Sequence, residues 1–114
     1  LHRHPKLDIC LSHAGGTMTS LVGRFNRACI KRPWVPEHLR YEGAFEESLR
    51  KLWFDTHVHD PRVLNWVIEI MGTERLLLGT NFSGWDEHAM THDIDVSLAD
   101  TMADNAKRLL RVSA

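Results

Sequence analysis

The apolar positions of this chain alternate between short continuous runs and stretches with helical spacing, and that alternation defines its elements. Leu7-Asp8-Ile9-Cys10-Leu11-Ser12 is a run compatible with a strand, ended by His13-Ala14-Gly15-Gly16, where two glycines admit backbone angles that other residues resist. From Thr17 to about Ile30 the apolar residues Leu21, Val22, Phe25, Ala28 and Cys29 recur at helical spacing, with Thr17 placed to cap the start. Lys31-Arg32-Pro33-Trp34-Val35-Pro36 carries two prolines and reads as a connection. Phe45, Leu49 and Leu52 suggest a short amphipathic helix between Glu37 and Lys51, weakened in its first half by Gly43.

The second half repeats the pattern. Leu52 to Val58 is aromatic and β-branched, hence a strand, and Asp60-Pro61 then offers an N-cap followed by proline at the first helical position. The helix from Pro61 to Met71 is expected to bury Val63, Leu64, Val67, Ile68 and Met71 and to close at Gly72. Arg75-Leu76-Leu77-Leu78-Gly79-Thr80 predicts a third strand, apolar on both faces. Asn81 to Asp95 reads as a polar loop, and Leu98 to Val112 as a terminal helix. Strand, helix, strand, helix, strand, helix is the order of an α/β fold with parallel strands. Three such strands leave two open edges, and the first methionine, Met18, lies well after Leu1, so residues 1–114 are expected to form part of a larger sheet or barrel.

Composition excludes more than it selects. At 43% hydrophobic and 25% charged, the 114-residue chain is of the ordinary globular type, and 14 Lys+Arg against 15 Asp+Glu leave no basic excess for nucleic acid. Cys10 and Cys29 are too few for a disulfide framework, which implies reduced thiols and a cytoplasmic setting. No apolar run has the length to cross a bilayer, so no membrane partner is expected.

Chemistry concentrates where strands end. His13 follows the first strand, and the carboxyl ends of parallel strands form the working face of α/β folds, so His13 can serve there as a general acid or base; the alternative is a hydrogen-bonded loop histidine. Asn81 occupies the matching place after the third strand, as a weak oxygen ligand or as a residue that only shapes the turn. In Asp55-Thr56-His57-Val58-His59-Asp60, alternation puts His57 and His59 on one side of a strand, as two metal ligands require, with capping or packing as the alternative. His88 and His92 stand four apart but within an acidic loop. Arg24 can clamp a carboxylate bidentately or be an ordinary surface arginine.

With these landmarks in place, the chain resembles the C-terminal third of the amidohydrolase-related family that includes aminocarboxymuconate semialdehyde decarboxylase. The matching stretches are Arg3-His4-Pro5-Lys6-Leu7 through Ser12-His13-Ala14-Gly15-Gly16, then Val22-Gly23-Arg24, Val58-His59-Asp60-Pro61, Arg75-Leu76-Leu77-Leu78-Gly79-Thr80 and Asn105-Ala106. The resemblance implies a distorted (β/α)8 barrel of roughly three times this length, with the present strands as its sixth, seventh and eighth. It implies a divalent metal, commonly zinc, held by residues of the rest of the barrel and by an aspartate after the eighth strand. It implies His13 as the residue acting on metal-bound water or substrate, and Arg24 as a carboxylate clamp reaching a neighbouring subunit. The expected activity is that of a metal-dependent hydrolase or decarboxylase on a small carboxylate-bearing, aromatic or ring-cleavage substrate. The isolated chain is expected to be inactive, and to form a homo-oligomer or to associate with the remainder of its barrel. His59 matches a family position and His57 does not. Where the family has Gly-Ser/Thr-Asp-Tyr-Pro, this chain has Gly79-Thr80-Asn81-Phe82-Ser83, which replaces the carboxylate by a neutral amide. A non-catalytic assembly or binding module that has lost the metal site is the alternative.

Overall fold

Asp60 and Gly72 enclose the helix that the sequence marks most sharply. In the computed structural model, which describes residues 1–80 and 94–112, that helix runs Pro61–Met71. Asp60 accepts a hydrogen bond from the Arg62 amide at 2.9 Å, and Gly72, at φ 77°, ends the helix in a conformation that favours glycine. The strands are β1 (Cys10–Leu11), β2 (Trp53–Asp55) and β3 (Leu76–Leu77). Between β1 and β2 lie α1 (Thr17–Ser20), α2 (Val22–Lys31) and α3 (Ala44–Leu49); Pro61–Met71 is α4, and α5 (Val96–Leu110) follows β3.

The strands form one parallel sheet in the order β1-β2-β3, with Leu11 opposite Phe54 and Phe54 opposite Leu76. Consecutive parallel neighbours joined by right-handed crossovers place their helices on one side of the sheet. Phe54 and Leu76 accordingly meet Val67 and Met71 of α4 and Met102 of α5 in the core, together with Ala14 and Leu49. Alternation turns Cys10, Asp55 and Leu77 to the other face, where Cys10 is exposed.

Several elements differ from the sequence pattern. The stretch 17–30 is two helices, because Leu21 leaves helical geometry at φ −110°, ψ 17°. Thr17 is the first residue of α1 and Gly16 occupies the cap, so the expected threonine cap does not form. Only Ala44–Leu49 of the 37–51 stretch is α-helical, starting after Gly43 in the left-handed region at φ 83°. The paired strands are two to three residues long, since laddering extends only where neighbours face each other in register. Val63, expected inside, is exposed, whereas Val67 and Met71 are buried.

The amino-terminal rim of the sheet is held by polar contacts that periodicity does not reveal. Asn105, buried on α5, donates to the carbonyls of Thr73 at 2.7 Å and Leu76 at 2.8 Å and accepts from Arg108 at 2.7 Å. Arg108 also donates to the Glu74 carbonyl, and Arg108 and Arg75 lie 5.5 and 4.9 Å from the ring centre of Trp53. The Trp53 indole N–H donates to Asp8 at 2.9 Å.

Truncation of Asn105 leaves the buried Leu76 carbonyl without its donor and Arg108 short of one acceptor, while the Thr73 carbonyl keeps the Leu76 amide. Asn105→Ala is therefore expected to lower the unfolding free energy by about 2 kcal/mol or more, measured by urea denaturation. Acid provides a second test. The indole bond, with Arg111 adding to it against partial desolvation, holds Asp8 below its ordinary 3.8, and Asp60, Asp95 and Asp104 are lowered by bonds from Arg62, Ser97 and Lys107. Carboxyls depressed on folding contribute stability above the unfolded value of about 4 and lose it as pH falls through their lower folded values. Urea midpoints should fall below about pH 4, and Asp8→Asn should flatten that dependence.

Candidate active site

The carboxyl ends of β1 and β2 lie side by side because the strands are parallel and paired in register. Leaving β1, the chain makes a tight turn in which His13, Ala14, Gly15 and Gly16 all have positive φ, at 54°, 52°, 78° and 50°. Glycine accepts this readily, but His13 and Ala14 do so only at a cost of about 1–2 kcal/mol each. The turn is closed by Gly15 N–H to the Ser12 carbonyl at 3.1 Å and by Gly16 N–H to the His13 carbonyl at 2.9 Å. Ser12 Oγ lies 3.1 Å from Nδ1 of the exposed His13 ring.

Asp55, the last residue of β2, ties the turn to its neighbour. Its Oδ1 accepts the Ala14 amide and the His57 amide, both at 3.1 Å. One carboxylate oxygen thus anchors the loops that carry both histidines. Gly79 lies directly against Asp55, and a Cβ there would fall 2.8 Å from the Asp55 Cβ. Next to Asp55, the Thr56 hydroxyl accepts the Gly79 amide at 3.1 Å and links the ends of β2 and β3. The His57 ring, 7% exposed, stands edge-on to His13 and to His59, at 5.1 Å between ring centres in both cases.

Of the residues singled out from sequence, His13, His57 and His59 come together at this rim. Arg24 lies exposed on α2. Asn81, His88 and His92 lie outside the described residues. Among the described residues, no three His, Cys, Asp or Glu side chains are placed to hold a metal ion, so the histidines do not by themselves fit one. Asp55 and Gly79 are the participants that pattern reading missed. The available signal was a carboxylate ending one strand and a glycine two residues beyond the next.

A turn-borne histidine thus stands at the carboxyl rim of a parallel sheet, where α/β folds carry their chemistry. The amidohydrolase family model matches residues 1–112, and the chain belongs to that family. It is 30% identical over 80 residues to a 2-amino-3-carboxymuconate-6-semialdehyde decarboxylase of Dictyostelium discoideum, covering 70% of this chain and 22% of the relative. To the enzyme of that name from Caenorhabditis elegans it is 33% identical over 82 residues, covering 68% and 19%. Among solved structures, 5-carboxyvanillate decarboxylase from Sphingomonas paucimobilis superposes with a TM-score of 0.73 at 21% identity, over 98% of this chain and 36% of that one. The chain therefore spans about a fifth of the length of these curated relatives. The fold is that of part of a decarboxylase barrel protein, and the family is typically metal-dependent. Among the described residues no helix is long and apolar enough to cross a membrane.

The closeness of Gly79 to Asp55 is testable. Gly79→Ala forces the new methyl into the Asp55 side chain and is expected to cost about 1–3 kcal/mol, as overpacking does. Thermal unfolding of the variant checks the cost, and a wild-type melting temperature would mean that the site relaxes freely.

Proposed function

We propose that this chain forms the sixth to eighth strands of an amidohydrolase-family barrel and supplies the acid/base wall of a decarboxylase site. The substrate is a small carboxylate-bearing compound, aromatic or derived from ring cleavage, the class to which the names of its relatives point. The observation that carries the reading is His13. It sits on a strained turn at the carboxyl rim, with Nδ1 beside Ser12 and its ring against the buried His57.

Decarboxylation breaks the bond between the carboxylate and its carbon, releases carbon dioxide and leaves the electron pair on that carbon, which must then take up a proton. His13 Nε2 delivers that proton and is reloaded from solvent, a role for which imidazole suits neutral pH. Arg24, exposed on α2, is the carboxylate clamp of this reading and acts on a neighbouring subunit, so the working form is a homo-oligomer. Hydrolysis at the same rim would use His13 as the base toward water. Zinc is the proposed ion of the complete barrel, with Asn81 at the family's aspartate position. The 114-residue chain alone is proposed to be inactive, because the remaining ligands and walls belong to the rest of the barrel. The amide at Asn81 favours one other reading, a non-catalytic assembly or binding module.

A complete barrel carrying this segment separates the two. Carbon dioxide release from an aromatic carboxylate, lost in His13→Ala, supports the enzyme; no turnover by an oligomeric, well-folded barrel supports the assembly module. Calorimetric zinc titration adds a direction, since Asn81→Asp replaces a weak amide oxygen by a carboxylate and is expected to tighten binding about 10- to 100-fold. Unchanged or weaker affinity would make Asn81 a turn residue.

A further inference from the structure

We propose that Asp55 is the positioning residue of this site: a single carboxylate oxygen, bonded to the amides of Ala14 and His57, fixes the left-handed turn under His13 and sets the His57 ring against it. Three observations converge. The first is the shared acceptor, since Asp55 Oδ1 is 3.1 Å from both amide nitrogens, across a sequence separation of 41 residues to Ala14 but only two to His57. The second is the backbone it restrains. His13 and Ala14 both occupy the left-handed region without being glycine, and such strain persists only where the surroundings over-determine it. The third is clearance, because the half-buried Asp55 side chain occupies the space that any side chain at Gly79 would need.

The consequence for His13 is orientational. Its backbone precedes the anchored Ala14 amide directly, and its ring meets His57, whose own amide is held by the same oxygen. With both anchors on one atom, the two imidazoles keep a fixed relation of 5.1 Å and 60°. Asp55 acts through His13 and is not itself asked to touch substrate. The inference rests on the reading of His13 as the acid/base residue, but its structural core does not need turnover to be tested.

The test uses amide hydrogen exchange and ring-to-ring nuclear Overhauser contacts on a complete barrel carrying this segment. In the wild type the Ala14 and His57 amides should be protected and the His13 and His57 rings should show a mutual contact. Asp55→Ala should speed exchange at both amides by about tenfold or more, as expected for loss of a bond to a charged acceptor, and should abolish the ring contact. Asp55→Asn keeps an oxygen acceptor in place and should retain both features. Asp55→Glu keeps the charge but displaces the oxygen by one methylene and should lose them, which also serves if the alanine variant fails to fold. Thr56→Val, which removes the neighbouring bond to Gly79, controls for general loosening and should leave the pair intact. Retention of the ring contact and both protections in Asp55→Ala or Asp55→Glu, or their equal loss in Thr56→Val, would overturn the proposal. In a complete barrel, kcat should fall in Asp55→Ala and recover in Asp55→Asn with KM little changed. A barrel without decarboxylase activity would remove the functional reading while the exchange pattern still decides the positioning role.

Discussion

Parallel pairing is the constraint from which the arrangement of this protein follows. Once β2 is bonded to β1 on one side and β3 on the other, all three strands must end at the same rim, and every residue just beyond a strand is delivered to one place. His13, Asp55, His57 and Gly79 meet there although up to 66 positions of sequence separate them. The helices have a supporting part in this geometry: α4 and α5 press Val67, Met71 and Met102 onto Phe54 and Leu76 and so keep the pleat from shifting. A slip of one residue would exchange the faces of Phe54 and Asp55, placing a carboxylate in the core and an aromatic ring at the rim.

The two rims of the sheet are built on different principles. At the amino-terminal rim, groups are paired repeatedly: Asn105 closes two carbonyls, Arg108 bridges helix and strand, and Trp53 carries two guanidinium groups while donating to Asp8. This explains why an asparagine stands within α5, where its helix propensity is poor, because its amide satisfies the buried carbonyl of Leu76 in β3. At the carboxyl rim the backbone bends into left-handed angles and imidazoles face one another. Rigidity gathered at one end permits irregularity at the other, the division described for barrels whose chemistry lies at the carboxyl ends of their strands.

How much of this was legible in the sequence depended on whether a signal was local. α4 was readable to the residue because its cap, its proline and its terminal glycine are all adjacent to the segment they define. The break at Leu21 was not, since nothing in the 17–30 periodicity distinguishes one helix from two short ones turned against each other. The parallel direction of the strands followed from the alternation of elements, while their order and length did not, because pairing depends on neighbours that periodicity cannot see. His13 stood out through the glycines that follow it. Asp55 did not, for its meaning lies in an amide 41 residues earlier and a glycine 24 residues later. Asn81, whose importance rests on a departure from the family pattern, lies outside the described residues.

The left-handed backbone under His13 also limits what that position can become over evolutionary time. β-Branched and bulky side chains are disfavoured at such angles, whereas asparagine, aspartate, histidine and glycine are admitted. Two members of that short set, histidine and aspartate, can exchange a proton. The turn therefore acts as a filter on inheritance: random substitution at this site is steered toward small polar or proton-carrying residues before any selection for catalysis is applied.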